Sequence, residues 1–428
     1  MSEQRKAMII APFWRRPDHI SVYRIDRFAR WLSGKGVKVV LVRAGGREHI
    51  QDMPWGEEIT VRDPLGLFED PGEEGARVPF SRYINCLRRF LVFNVFRVLF
   101  NPDPMVAWAR RAAANTLVKE RMRDVAWVIS SSPPESCHVA SFLLSRTFGK
   151  ELVIDMRDGW LDEPIKRYLE YPGLRHKRES RLEALILRGA KRIFVTSCEW
   201  KSLIEKRLPF TAGKITVLTN AYPPKYDQIK YTFDNRHASD EITLIYTGRF
   251  SGRGTRPGFE VEYLLKPVAE TLASADYKKG KIILLGRGPF GRGDIVKIGA
   301  WRPAFEAAGW SIEVRKAMPR EQMLAEIKRA HGLLLLALCE ACIPSKLFEY
   351  IPAGRPFLAV VMDGNAVWNL CRHLPQAFLL DYSRPQEWTA VVNDFLTACS
   401  AEKHPFIIPD DFAEQKLSRI FMSNIGID

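Results

Sequence analysis

The segment 343–356, IPSKLFEYIPAGRP, gathers Ser345, Lys346 and Glu349 within five residues. Pro344 and Ser345 read as a helix start, a rigid turn followed by a hydroxyl that can cap free amides. Leu347, Phe348, Tyr350 and Ile351 then give an apolar helical face, and Gly354 and Pro356 a stop. The apolar run 333–336 before it reads as a buried parallel strand, and 357–361 after it as the next one. Strand, loop and helix in that order leave backbone N–H groups at a sheet edge, where a phosphate can be held. Lys346 adds a positive charge there, and Glu349, one turn on, can accept hydrogen bonds from two ribose hydroxyls. The combination is that of a nucleoside-diphosphate site. The same residues also fit an ordinary strand–helix unit with a surface Lys and Glu.

Other clusters point to anions as well. Segment 246–250, YTGRF, ends a strand: Gly248 permits close backbone approach, and Arg249 can clamp a diphosphate. Arg253 and Arg256 follow in a loop with Gly252, Gly254, Pro257 and Gly258; a solvated basic loop is the plainer alternative. Segment 285–289, LGRGP, ends another strand, and Gly286 would let backbone pack close to a nucleotide. In the first half, VISSSPP at 128–134 ends a strand, and His138 lies on the helix after it. VIDMRDGW at 153–160 ends a further strand with Asp155, Arg157 and Asp158. An Asp at such an edge can orient an acceptor or hold an arginine, and a His can donate to a sugar hydroxyl or phosphate. Equally, Asp155 and Arg157 could pair with each other, and His138 could be a satisfied, half-buried residue. No D-x-D triplet occurs. Its absence argues that cationic side chains neutralise a leaving diphosphate, so neither metal nor cofactor is expected.

These residues need a scaffold of parallel strands, and the chain supplies one twice. Strand candidates are 8–11, 37–42, 127–130, 152–155, 193–196 and 215–218, then 242–247, 281–286, 312–315, 332–336, 357–361 and 378–380. Helical patterns such as 22–32 and 320–329 lie between them. Alternation of this kind predicts an α/β chain of two Rossmann-like, doubly wound domains, with ligands at the carboxyl ends of the strands. At 428 residues the length suits two domains. The predicted boundaries are 1–219, a Pro-containing linker 220–235, a second domain 236–405, and a last helix within 406–428 that crosses back to the first domain. Segment 51–75 reads as a polar, acidic, Pro- and Gly-rich insertion.

A hydrophobic fraction of 46% excludes a disordered chain, and a net charge of +14 favours an anionic partner. No nucleic-acid recognition module is visible. The seven cysteines are odd in number and scattered, as in a reducing compartment, and Cys339 and Cys342 read as structural thiols. Neither a secretory signal nor an apolar stretch of about 18 residues occurs, so a cytoplasmic protein is expected. Segment 82–100 interleaves Arg82, Arg88, Arg89 and Arg97 with Leu87, Phe90, Leu91, Phe93, Phe96, Leu99 and Phe100. It reads either as a helix lying on an anionic membrane at the inner face or as a packed helix with snorkelling arginines.

Taken together, YTGRF, LLGRGP, PSKLFEY and AGRP resemble the donor domain of the family-4 retaining glycosyltransferases, whose fold is GT-B. SSSPPESCH and DMRDGW, with Asp103 and Trp108 in segment 101–108, resemble the first domain of one of its subgroups. The resemblance covers nearly the whole chain. It implies two Rossmann-like domains facing across a cleft, and a nucleotide-sugar donor, UDP-linked. It also implies a saccharide or lipid-linked acceptor in surface polysaccharide or glycoconjugate assembly. By resemblance Glu349 holds the ribose, and Arg249 binds the diphosphate with Lys346, Ser345 and the Leu347 amide beside it. Arg253 or Arg256 stands for a family lysine, Arg253 also binding the donor, and Gly286 lines the site. His138, Arg157 and Asp158 fall on the acceptor side, with Trp14, Arg15 and Ser21 from the first loop. The resemblance assigns catalysis to His138, Asp158, Arg249 and Lys346. Three departures stand out. The family's second Glu, eight residues before the ribose one, is Ala341 here, with Glu340 adjacent. Its Lys after the strand Arg is absent, and its first loop has paired glycines that this one lacks.

Two other readings share the architecture: a nucleotide-sugar 2-epimerase and a catalytically silent relative acting as scaffold. The first needs acid–base groups in the donor half, where His331 and His373 are the histidines between 240 and 400. Ala341 speaks for the second.

Overall fold

The computed structural model describes residues 5–14, 21–67, 87, 90–92, 99–164, 173–222, 241–248, 250, 260–274, 278–286 and 292–427, with backbone only at Ser21 and Arg292. The first sheet contains Lys6–Ile10 (β1), Lys38–Gly45 (β2), His49–Met53 (β3), Gly56–Arg62 (β4), Val125–Ser132 (β5), Glu151–Met156 (β6), Arg192–Val195 (β7) and Ile215–Val217 (β8). Their order is β3-β4-β2-β1-β5-β6-β7-β8. Only the β3–β4 pair is antiparallel among these ladders. The second sheet contains Ile242–Gly248 (β9), Gly280–Gly286 (β10), Trp310–Arg315 (β11), Gly332–Ala337 (β12), Phe357–Val361 (β13) and Ala377–Asp381 (β14). It is parallel throughout, in the order β11-β10-β9-β12-β13-β14.

Every strand expected from an apolar run is present because both sheets are covered on both faces, which makes the central strands apolar on both sides. On β1, Met8 and Ile10 join one buried cluster, while Ala7 and Ile9 join the cluster on the opposite face. On β9, Leu244 and Tyr246 face one cluster and Ile245 the other. One strand pair overturns an expectation. Segment 51–75 is not simply an inserted loop: β3 and β4 form a hairpin that extends the sheet from β2. His49, Gln51 and Asp52 on the edge are polar and exposed and Ile50 is exposed too, so their pattern carried no strand signal.

The helix Glu414–Asn424 packs on the first sheet. Phe421 stacks on Phe28 with centroids 4.6 Å apart and planes 8° from parallel. Glu414 Oε1 accepts from Arg30 Nη1 at 2.7 Å and Trp31 Nε1 at 3.2 Å. Arg192 donates to the Asn424 carbonyl at 3.0 Å. The linker is described only to Tyr222, whose N–H donates to the Phe412 carbonyl. Arg27 donates to the carbonyls of Ala221 and Tyr222, both at 3.0 Å. Among the described residues no helix is long and apolar enough to cross a membrane.

Candidate active site

Strands β9 and β10 end together, with Gly248 opposite Gly286. Beside them the loop after β12 leads into the short helix Leu347–Tyr350. The Tyr350 hydroxyl accepts the Thr247 N–H at 2.9 Å, which fastens this helix to the carboxyl end of β9. Lys346 Nζ lies 3.6 Å from the centroid of the Tyr246 ring. Tyr246 in turn stacks on Phe250 at 4.4 Å. Gly248 has φ +146°, and a Cβ there would sit 3.0 Å from Lys346 Nζ, so the glycine leaves the ammonium its place. Glu349 is buried, and Arg320 Nε and Nη2 donate to its Oε1 at 3.2 and 3.1 Å. Arg249, Arg253 and Arg256, and the residues 287–290 after Gly286, lie outside the described residues.

The helix start differs from expectation. No side chain caps the helix, and Lys346 rather than Ser345 occupies the N-cap position. The N–H groups of Leu347, Phe348 and Glu349 donate to the carbonyls of Pro344, Ser345 and Lys346 at 3.0, 3.2 and 2.9 Å. A tight turn thus uses its own carbonyls as acceptors, and these three amides are engaged rather than offered to a phosphate. Among the described residues Lys346 and Arg320 bring positive charge to this corner. Gly354 closes the following turn at φ +66°, as its position in the sequence predicts.

On the first sheet the serine-rich turn is held from below. Asp103 accepts the N–H groups of Met105 and Ser136, each at 2.8 Å. His138 is fully buried, with Nδ1 2.8 Å from Ser130 Oγ and its ring 5.6 Å from that of Trp160. Asp155 and Arg157 do not pair as one reading had it. Asp155 is buried and takes a two-pronged contact from Arg24, Nη2 to Oδ1 at 2.6 Å and Nε to Oδ2 at 2.8 Å, with Ser131 Oγ at 2.6 Å. Arg24 also donates to the carbonyls of Leu218 and Thr219. Arg157 instead donates to the carbonyls of Ser132 and Pro133 at 2.8 and 3.0 Å. Burial holds its pKa below the usual value against the opposing charges of Asp158 and Asp155. Asp158 is half-buried beside it. Trp14 is buried, its Nε1 2.9 Å from Glu58 Oε2, and Glu58 is itself held by Arg43 at 2.6 Å. Trp14 also lines a small depression with Pro12, Phe13, Ile25 and Pro133. Arg15 and the side chain of Ser21 lie outside the described residues.

Loss of water around the Asp103 carboxyl, and then the charge of Glu135, push its pKa up to about 6 from 3.8. A carboxyl raised in the folded state binds a proton on folding between those values. Its contribution is therefore most favourable at low pH and is lost as pH rises through about 6. Asp103→Asn is expected to remove a slope of up to about 1.4 kcal/mol per pH unit from unfolding free energies across that window. Denaturant titrations at pH 4, 5, 6 and 7 check this; an unchanged slope in the variant contradicts it.

Hydrogen bonds join the two halves. Ser197 donates across to the Ala341 carbonyl at 2.8 Å, while its neighbour Thr196 Oγ1 donates to the Arg157 carbonyl at 2.8 Å within the first domain. Asn369 Nδ2 donates to Glu199 at 2.9 Å. Arg320 lies over the Tyr23 ring at 4.3 Å. The DMRDGW turn and the start of the first helix are thereby set next to the loop that carries Lys346 and Glu349. On that loop Cys339 and Cys342, expected as thiols, form a disulfide, because the chain reverses there and brings their Cα atoms to 5.4 Å. His331 sits at the amino end of β12, its Nδ1 accepting the Thr243 N–H at 3.0 Å, away from the strand ends where chemistry would occur. Among the described residues no group of three His, Cys, Asp or Glu side chains is placed as metal ligands would be. Sequence reasoning missed Arg320 as a site residue; 29 positions separate it from Glu349, and no local pattern links them.

No protein-family model matches the chain, and no curated protein matches it in sequence. Solved structures do match in shape. Sucrose-phosphate synthase from Thermosynechococcus elongatus superposes with a TM-score of 0.59 at 12% identity, over 97% of each chain. An α,α-trehalose-phosphate synthase (UDP-forming) from Burkholderia xenovorans, solved with glucose-6-phosphate, gives 0.60 at 10% identity over 98% of this chain and 99% of its own. Anabaena HepE in complex with UDP-glucose gives 0.56 at 11% identity over 98% and 99%. With both sheets, their parallel order and this coverage, the chain has the GT-B fold, two Rossmann-like domains in series.

Proposed function

We propose that this protein is a glycosyltransferase that moves a hexosyl unit from a UDP-linked sugar to a saccharide or lipid-linked saccharide in surface polysaccharide or glycoconjugate assembly, with retention. The observation that carries this reading is the placement of Lys346 at the carboxyl end of β9, against Tyr246 and Gly248, with Glu349 on the short helix that follows it and Gly286 paired to Gly248. That is where ligands bind in parallel sheets. The choice of uridine is supported by the UDP-glucose held by HepE and by the UDP-forming synthase. Glu349 would hold the ribose, and Lys346 with Arg249 and Arg253 the diphosphate, near Ser345 and Leu347. Asp158 and Arg157, with His138 behind them, would serve the acceptor side. In transfer, the bond from the anomeric carbon to the diphosphate oxygen breaks, and the acceptor oxygen bonds to that carbon on the same face. The acceptor proton passes to the departing phosphate. Lys346 stabilises the charge growing on the diphosphate, and closing the cleft excludes water.

Thermal-shift binding with UDP, GDP, ADP and TDP tests the donor class, since a ligand bound only by the folded protein raises its melting temperature. A shift with UDP that is absent in Glu349→Ala is expected. A silent scaffold is the second reading, favoured by Ala341, which is buried with its carbonyl tied to Ser197. Absence of a shift with all four nucleotides would move the assignment to it.

The proposal includes docking of segment 82–100 on an anionic membrane at the cytoplasmic face. Its arginines lie outside the described residues, while Leu87, Phe90 and Leu99 are exposed. Each basic side chain near such a surface contributes about 1 kcal/mol. Arg88→Glu with Arg89→Glu is expected to weaken sedimentation with phosphatidylserine vesicles by at least about tenfold. Unchanged partition removes the membrane from the proposal.

A further inference from the structure

Arg320 opens the helix Arg320–Arg329 of the second domain. Its guanidinium contacts Glu349 on one side and lies 4.3 Å from the centroid of Tyr23 on the other. Tyr23 belongs to the helix Ser21–Gly34 of the first domain and is 40% exposed. One side chain therefore touches both the buried carboxylate of the donor corner and the opposite domain. Both of its donations fall on Oε1, rather than one on each oxygen as in a fork-to-fork pair.

We propose that Arg320 is the positioning residue for Glu349, and that its stacking on Tyr23 makes ribose recognition depend on the approach of the two domains. The inference rests on the reading of Glu349 as the ribose acceptor. A carboxylate that is 5% exposed is costly to bury unless it is paired. Holding two ribose hydroxyls also requires it in one rotamer. Arg320 supplies the charge and fixes the carboxylate's direction. A guanidinium on a long stem is itself mobile, and the face of Tyr23 gives it a seat. When the domains separate, that seat leaves with the first domain, and Arg320 and Glu349 lose order together. The nucleoside diphosphate is then gripped by its ribose only in the closed arrangement, which is the one that excludes water from the reacting bond.

The test compares UDP with dUDP, which lacks the 2′-hydroxyl, by calorimetric titration on wild type, Arg320→Met, Arg320→Lys, Tyr23→Leu, Tyr23→Phe and Glu349→Gln. Preference for UDP over dUDP is expected to be about tenfold or more in wild type, as for one hydrogen bond to a charged group. It is expected to fall toward unity in Arg320→Met and Glu349→Gln, to recover in part in Arg320→Lys, to weaken in Tyr23→Leu and to persist in Tyr23→Phe. Arg320→Met with Glu349→Gln should discriminate no worse than either alone. A variant that merely misfolds loses affinity for both nucleotides together and keeps no preference to rescue; far-ultraviolet circular dichroism identifies it, and Arg320→Lys then decides. Preference lost in Glu349→Gln but intact in Arg320→Met overturns the positioning role and leaves the ribose reading standing. Preference intact in Glu349→Gln, or no binding of UDP to wild type, overturns both.

Discussion

Lys346→Ala is expected to lower turnover of a UDP-sugar by about 10²–10³-fold, the scale found when one preorganised group facing developing charge is removed. Lys346 Nζ sits on the ring of Tyr246 and against Gly248, at the end of the strand where a diphosphate would leave. It is only 7% exposed, so its field is weakly screened. The amides of Leu347, Phe348 and Glu349 are already bonded within their turn, so they offer little replacement for the lost charge. Lys346→Arg is not expected to restore the rate. A planar fork does not reproduce the compact ammonium, which here lies 3.6 Å from the centroid of the Tyr246 ring. The check is steady-state transfer or slow hydrolysis of the donor, with the melting temperature measured alongside. An unchanged rate in folded Lys346→Ala would remove this lysine from the chemistry.

The largest loss of stability is expected from Asp155→Ala. Asp155 is completely buried, and Arg24 meets it through two nitrogens while also holding the carbonyls of Leu218 and Thr219. Removing one partner leaves a guanidinium that is 5% exposed without its counter-charge. Breaking a buried pair in this way costs about 3–5 kcal/mol, or about 10 °C in the melting of a domain of this size. Arg24→Leu with Asp155→Leu should cost less than either single change to Leu, because no charge is then stranded. Differential scanning calorimetry distinguishes the cases. A single variant melting within about 2 °C of wild type would show that water reaches the pair.

Twelve of the fourteen described strands were legible, the central ones because burial on both faces forces unbroken apolar runs, as in Leu333 to Leu336 on β12. The hairpin was not. On β3 the side chains are solvated, and on β4 Glu58 is buried only because Arg43 and Trp14 meet it there. A buried glutamate reads as surface until its partner is known. The same limit governs the candidate site. PSKLFEY is a local pattern, and the sequence places Lys346 and Glu349 at a strand end without help. What holds them comes from afar: Arg320 is 29 positions from Glu349, Tyr350 103 from Thr247, and Arg24 131 from Asp155. Such pairs depend on which strands become neighbours, which periodicity does not encode. The Ser345 cap failed for a local reason, because a turn with i−3 bonds has no amide left for the hydroxyl at that point.

The return of the helix Glu414–Asn424 to the first sheet has a consequence for the order of events during synthesis. Leu417, Phe421 and Met422 belong to the same buried cluster as Phe28, Trp31 and Phe194. Domains generally fold in the order in which they leave the ribosome. Here the first domain emerges early but must wait, with Phe28 and Trp31 uncovered on one face, until the whole second domain has been made. The second domain is complete before the first, and the face that carries Phe28 and Trp31 stays uncovered while the chain from 223 to 413 is made. A chaperone that binds such patches would therefore find its substrate in the first domain, and would be released by the arrival of the last helix.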